Sequence, residues 1–465
     1  MTVDFRKKGM YNTGVRGKEG DFVKQLKLFS LTWPIFIETA LFMLLGFVDV
    51  FVLSKYDDLA ASAVNTANQA VSIVTIVFTV ISGASAVLIS QYLGAEKRKN
   101  ASRIAALSLT ISLILGIVIS LVLVLFNRQI LGFIGAKGNL LELSSQYLSI
   151  VGGFIFLQAV LSNMSVIIRN HGLTKITMYV TVGMNVVNTG LDIIFVLGLL
   201  GVPNLGVTGV AVATTFSRIA GAVVLGIILF TKIEKPSIFR LLKPFPKGDL
   251  VDIVKIGVPS ALETFLYNLS QLVITSLVLN FLSEAELITK TYVQNITMFF
   301  YLFAVAIAQA SQILIGHLVG AKKTDEAYRQ GYKSHLWALG IAAAICVVGV
   351  VFRYQLIGIY TADEAVIAMG ANILLINVAL EFGRTTNLVL IACLRGSGDV
   401  YFPTFCAIFS NWLLSVLGSY ILAVVFGMGI YGLWIALAAD EVIRGVLMIW
   451  RWKSGKWRTK RIVKN

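Results

Sequence analysis

Asp49 ends an apolar run that begins at Pro34 and also carries Glu38. Charge inside hydrocarbon is costly, and where it occurs it faces a bundle interior or a wet cavity. Two carboxylates and a proline are more than an anchor needs. The pattern Pro34-x-x-x-Glu38-Thr39 returns as Pro259-x-x-x-Glu263-Thr264, 225 residues later. Asp49 does not return, because Ile274 stands at the matching place. Glu38 is therefore a duplicated acid, and Asp49 belongs to one half only. The competing reading of Asp49 is an acid wetted at the end of its span, near Ser54.

A second acid lies in Asn185-Val-Val-Asn188-Thr-Gly-Leu-Asp192. Asn188 and Asp192 are four apart and share a helix face. A carboxylate with amide and hydroxyl oxygens suits a hard cation such as Na+. The same carboxylate can carry a proton. The competing reading is hydrogen bonding between helices, a common use of Asn and Thr in membranes.

Further charges fall inside apolar runs: Arg218, Glu381, Arg384, Asp440, Glu441 and Arg444. The pairs Glu381–Arg384 and Glu441–Arg444 are three apart, the spacing of neighbours on one helix face. Either they form internal ion pairs, or some of the acids face a cavity and attract a cationic substrate. Arg218 needs an acid, and Asp192 is a candidate. Glu38, Asp440 and Glu441 are the candidate structural acids. His171, His317 and His335 have no spacing that gathers a metal. Cys346, Cys393 and Cys406 form no CxxC pair. There is no Walker sequence and no nucleophile set, so neither an enzyme nor a cofactor is expected.

The elements that hold these residues are membrane spans. The chain has 465 residues, 57% of them hydrophobic, and a mean hydropathy of +0.83. Charged residues make up 14%, against about 25% in a soluble domain. Span length and flanking polarity give twelve helices, at 26–53, 62–92, 104–126, 144–168, 176–201, 209–231, 251–281, 288–319, 334–352, 366–392, 401–426 and 430–450. The first run is too long for a signal-peptide core.

Net charge +15 is distributed as a membrane protein distributes it. The first 27 residues carry a net +4, and the last fifteen hold seven Lys/Arg and no acid. Other basic clusters, such as Lys97-Arg98-Lys99 and Lys322-Lys323, fall on alternate connections. This is the positive-inside pattern with both termini cytoplasmic, helped by attraction to anionic lipid. A nucleic-acid binder would show one basic face with stacking aromatics.

The two halves repeat. Ile89-Ser-Gln-Tyr-Leu-Gly94-Ala95 matches Ile315-Gly-His-Leu-Val-Gly320-Ala321. Arg169-Asn-His-Gly172 matches Arg395-Gly-Ser-Gly398, and Asn185 matches Asn411. Gly206-Val-Thr-Gly209 matches Gly429-Ile-Tyr-Gly432. Offsets stay between 223 and 226. Six spans per half give parallel halves related by an axis along the membrane normal. The expected architecture is an all-α polytopic membrane protein of two six-helix lobes around a cleft. The expected division is a cytoplasmic tail at 1–25, an N-lobe at 26–231, a proline-rich linker at 232–250, a C-lobe at 251–450 and a basic tail at 451–465.

These pieces carry a family resemblance. Pro34 followed by Gly46-Phe-Val-Asp49, then Gln91-Tyr-Leu-Gly94-Ala95, Gly316-His317-Leu-Val-Gly320 and Leu394-Arg395-Gly-Ser-Gly-Asp399 resemble the multidrug and toxic compound extrusion (MATE) family over about residues 25–450. The resemblance implies efflux of organic cations or amphiphiles in exchange for Na+ or H+ through alternating access. It implies a cation-coupling site of Asp49, Asn188, Asp192 and Thr214, with Na+ as a candidate ion there. For the C-lobe it points to Asp399 and, less directly, Glu263; together with Glu381, read above from its place in an apolar run, these make up the candidate C-lobe cation or substrate site. Glu263 follows its proline at a shorter spacing than the family's C-lobe glutamate does. Asp399 fits the end of the Leu-Arg-Gly-x-x-Asp motif, and its competing reading is a helix cap beside Gly398. The expected partners are a small organic cation or amphiphile, Na+ or H+, and membrane lipid, for a monomer in the plasma membrane. The alternatives are a flippase or exporter of lipid-linked or other amphiphilic metabolites, and a non-transporting receptor or scaffold.

Overall fold

The computed structural model describes residues 26–54, 57–199, 201 and 203–463. The expected tail at 1–25 lies outside them. Among the described residues the regular structure is entirely helical. The first bundle comprises α1 (Leu28–Ser54), α2 (Asp58–Gly94), α3 (Arg98–Leu125), the short α4 (Asn127–Ile134), α5 (Gly138–Gly153), α6 (Ile155–Asn170), α7 (Thr174–Leu197) and α8 (Gly206–Ile228). The second comprises α9 (Lys247–Phe281), α10 (Glu284–Phe300), α11 (Leu302–Gly320), α12 (Thr324–Val351), the short α13 (Arg353–Gly358), α14 (Glu364–Ser397), α15 (Tyr401–Ser410, continued in wider turns to Val425) and α16 (Gly429–Lys453).

Among the described residues ten segments are long and apolar enough to cross a bilayer singly. An eleventh crossing is the pair α5–α6, bent by 46° after Gly152-Gly153. The twelfth, α16, carries Asp440, Glu441 and Arg444 in its middle, and it can lie among apolar neighbours because those charges pair with one another. The outer face of α3 leaves Ile114, Val118 and Leu121 uncovered. An apolar belt of that kind suits lipid rather than water. The result is a polytopic bundle of two six-span lobes.

Caps repeat with the halves. The Asp57 carboxylate accepts from the Leu59 amide at 2.8 Å and starts α2. At the equivalent place Ser283 and Glu286 form a reciprocal capping box that starts α10. Glu286 also accepts from the Ile430 amide at 2.8 Å, tying the start of α10 to the start of α16.

The bundles meet where α11 packs on α1 and α2 and where α9 packs on α2. An apolar seam of Leu31, Ile35, Ala306, Ala310, Ile313 and Leu314 joins α1 to α11. At one end of the molecule the two copies of the repeated motif touch each other. A Cβ on Gly94 would overlap the carbonyl oxygen of His317, and one on Gly320 would overlap that of Gln91. Only glycine lets the two backbones approach this closely. Beyond that contact lies a cleft of about 490 Å³ between the bundles, with Glu38, Phe42, Gln158 and Arg169 on one side and Gln309 and Gln312 on the other.

Candidate cation and substrate sites

Asp49, Asn188, Asp192 and Thr214 come from α1, α7 and α8 and converge inside the first bundle. Asp49 and Thr214 are 2% exposed, and Asn188 and Asp192 are fully buried. Asp49 is therefore not at a wetted rim. The helical spacing of Asn188 and Asp192 aims both at α1, and α7 packs on both α1 and α8. The Thr214 hydroxyl lies 3.5 Å from Asp49 Oδ2 and 3.4 Å from the Asn188 amide. With its nitrogen toward the acids, Asn188 donates to Asp49 Oδ1 at 3.1 Å and to Asp192 Oδ2 at 3.2 Å. Turned over, its carbonyl oxygen joins the carboxylates, and the cluster becomes a cage of oxygens. Asp192 Oδ1 is buried with no hydrogen-bond partner. Hard oxygen donors and one unsatisfied carboxylate oxygen fit a small hard cation or a proton.

Two neighbours, Tyr147 and Asn68, escaped sequence reasoning. Tyr147 of α5 is 1% exposed, and its hydroxyl faces Thr214 and donates to Asn68 Oδ1 of α2 at 3.3 Å. No spacing links α2 and α5 to Asp49, so only the fold could reveal this wall. Arg218, half-buried on α8, directs its charge at Asp49 and Tyr147. Among the described residues no ion pair joins it to Asp192.

The duplicated acids each sit in a duplicated triad. Glu38 Oε2 accepts from the Thr177 hydroxyl at 2.8 Å and lies 3.9 Å from Arg169. Glu263 Oε2 accepts from the Thr404 hydroxyl at 2.8 Å and from Arg395 at 2.6 Å. Each triad ties the first span of its bundle to the fourth and fifth. Arg169 also donates to Gln309 of the other bundle at 2.8 Å. The signal was present in the sequence. Arg169 and Arg395 repeat at 226 residues, beside acids that repeat at 225.

The second bundle holds a larger network. Asp440 accepts from Ser410 and Ser415 and pairs with Arg444 at 3.0 Å. Glu441 pairs with Arg444 at 3.0 Å, stands 4.0 Å from Arg384, and accepts from Asn387 at 2.7 Å. Glu381 is fully buried, lies 3.5 Å from Arg384, and leaves Oε1 without a partner. Both spacings of three thus place acid and base side by side. Asp399 is separate from this network and pairs with Arg451 at 2.7 Å. A smaller cavity of about 160 Å³ borders the network, lined by Glu263, Tyr267, Asn411, Trp412 and Arg444. Glu263, Glu381 and Asp399 each have a guanidinium neighbour, whereas the cluster around Asp49 and Asp192 contains none in direct contact. Among the described residues no group of three or more His, Cys, Asp or Glu is arranged as a metal site.

The MatE family model matches residues 34–194 and 259–421, one stretch in each bundle. The chain is 39% identical over 437 residues to the uncharacterized transporter YisQ of Bacillus subtilis, covering 94% of this chain and 96% of that one. It is 26% identical to the probable multidrug resistance protein NorM of Thermotoga maritima, covering 94% of each. Among solved structures, a crystal structure of a MATE in the bent conformation superposes with a TM-score of 0.86 at 20% identity, over 94% of this chain and 96% of that one. An outward-facing multidrug resistance MATE family transporter gives 0.85 at 21% identity, over 95% and 100%. At that identity the two structures speak for the fold.

Proposed function

The chain belongs to the MatE family, the multidrug and toxic compound extrusion transporters, and from that premise we propose which of its residues couple ion to substrate. The protein is a secondary active transporter, not an enzyme, and it exports organic cations or amphiphilic drugs by antiport. The coupling site is the cluster of Asp49, Asn188, Asp192 and Thr214. The observation that carries this reading is the approach of two buried carboxylates to one amide, with no guanidinium or ammonium of the described residues in contact. Such a pair is neutralised by a cation from outside the protein, Na+ or H+. Na+ would be held by the two carboxylates, the Asn188 carbonyl and the Thr214 hydroxyl, and would supply the positive charge that lets both acids stay ionised.

The face that carries Gly94, Gly320 and the C-terminal segment is the cytoplasmic one in this reading. The positive-inside rule supports it, since Lys97, Arg98, Lys99, Lys322 and Lys323 cluster there. The protein then lies in the plasma membrane, closed toward the cytoplasm. A cation entering from outside neutralises the acids, substrate leaves, and the bundles rock to open the other face. Reciprocal coupling requires each ligand to favour a different arrangement of the bundles. The cleft takes an amphiphile between Phe42, Met43 and Gln158 of the first bundle and Gln309 and Gln312 of the second.

The decisive experiment imposes Na+ and H+ gradients separately on proteoliposomes and follows efflux of a cationic dye. One gradient drives efflux and the other does not, or each drives it in competition. If neither gradient moves the dye, the antiport reading fails.

A further inference from the structure

We propose that residues 456–463 are an intramolecular latch that ties the two bundles together at the cytoplasmic face and must undock each time that face opens. The proposal rests on the alternating-access reading above and adds a moving part to it.

The segment leaves α16 and is first anchored on the second bundle. Trp457 is fully buried, stacks on Trp452 with ring centroids 4.3 Å apart, and donates to the Trp452 carbonyl at 3.0 Å. Arg458 pairs with Asp325 at 2.8 Å. The chain then runs so close to Gly398 that a Cβ there would overlap the Lys460 carbonyl. Arg461 donates to the Gly320 carbonyl at 2.9 Å, at the end of α11.

From the next residue on, the same segment is part of the first bundle. The Ile462 amide donates to Gln91 Oε1 at 3.0 Å. Val463 is 3% exposed and packs in a cluster with Ile89, Ile104 and Leu161. Gln91 is itself fully buried, and its other end donates to the Gly396 carbonyl of α14 at 2.9 Å. One amide side chain on α2 thus holds α14 with its nitrogen and the C-terminal segment with its oxygen. Lys456 and Lys460 are exposed; of the basic residues, Arg458 and Arg461 hold the segment to the second bundle, whereas the contacts of Ile462 and Val463 with the first bundle carry no charge.

Opening this face separates α2 from α11 and α14. It breaks both hydrogen bonds of Gln91 and withdraws Val463 from the first bundle's core in the same motion. These contacts exist only in the closed arrangement, so they bias the equilibrium toward it by their whole free energy. A tail that merely covered one bundle would leave that equilibrium unchanged.

The test reads distance rather than transport, so it stands or falls independently of ion coupling. Spin labels are placed on Lys99→Cys and Glu326→Cys, both exposed and on opposite bundles, with Cys346, Cys393 and Cys406 changed to Ala. The full chain is compared in lipid nanodiscs with a chain ending at Gly455, with Ile462→Pro and with Gln91→Met. Proline removes the donor at 462 and leaves the rest of the segment. Methionine removes the hydrogen-bonding group at 91 while keeping nearly the same length. Loss of one such buried bond raises the ratio of open to closed by roughly five-fold, seen as growth of the long-distance component, and truncation raises it further. If Ile462→Pro and Gln91→Met both give the distance distribution of the full chain, the latch is refuted, whatever the truncated chain does.

Discussion

Asp49 and Asp192 reach the same amide group, that of Asn188, at 3.1 and 3.2 Å, from two different helices. Two ionised carboxylates this close and this buried repel strongly, because the low-dielectric interior screens them little. A proton or a metal ion relieves that repulsion. At the proposed coupling site, gain and loss of the ion would then be a large local event on helices α1 and α7, which the motion of the bundles could use.

Asp49→Asn is expected to abolish gradient-driven efflux, a fall of roughly ten-fold or more, while the protein still folds. Asp192→Asn is expected to do the same. The double variant should be little worse than either single one, since residues that act as a unit are not additive. Dye efflux from proteoliposomes measures all three. Wild-type efflux by Asp49→Asn would remove Asp49 from the coupling site.

Glu38→Gln and Arg169→Gln should each lower thermal stability in detergent by about 1–3 kcal/mol, with the double variant less than the sum. The cycle at Glu263 and Arg395 should give a larger interaction energy, because 2.6 Å replaces 3.9 Å. Ion dependence of efflux should not change in Glu38→Gln. A shifted ion dependence would make the triad part of the coupling site.

The twelve spans and their repeat were legible because hydrophobic length and an offset near 225 survive in one dimension. Asn188 and Asp192 were legible as a pair because four residues make one helical turn. Their meeting with Asp49 and Thr214 was reached through a family likeness, not through spacing. The triads were half legible: Glu38, Glu263, Arg169 and Arg395 repeat in the sequence, but nothing in one dimension says that α1 lies against α6 and α7. Tyr147 and the docking of residues 456–463 were beyond reach. Both depend on contacts between distant segments, and a run of lysines and arginines reads as a free tail until its two tryptophans are seen to be buried.

Gly94→Val and Gly320→Val are expected to destabilise the closed arrangement by about 1–3 kcal/mol, since each added side chain meets a backbone carbonyl that cannot turn away. Gly83→Ala is the control on the same helix as Gly94, because nothing lies within 4 Å of its added Cβ. Thermal unfolding should separate the first two from the third.

Asp440→Asn should cost about 1–3 kcal/mol, because Arg444 loses one buried partner and keeps Glu441 at 3.0 Å. Changing Asp440 and Arg444 together to Asn and Met should recover part of that loss. Unfolding monitored by tryptophan fluorescence checks both. No recovery in the double variant would mean that the serine contacts of Asp440, rather than its ion pair, carry the stability.

The touching of Ile89–Ala95 and Ile315–Ala321 has a consequence for ancestry. The same stretch of sequence meets its own copy across the pseudo-two-fold axis, which is the geometry of an isologous homodimer interface. Two separate half-length chains would have associated through this surface before they were joined, and the join then freed each copy to drift. Asp49, matched by Ile274 in the repeat, is one mark of that drift, an ionisable group present in one former subunit and not in the other.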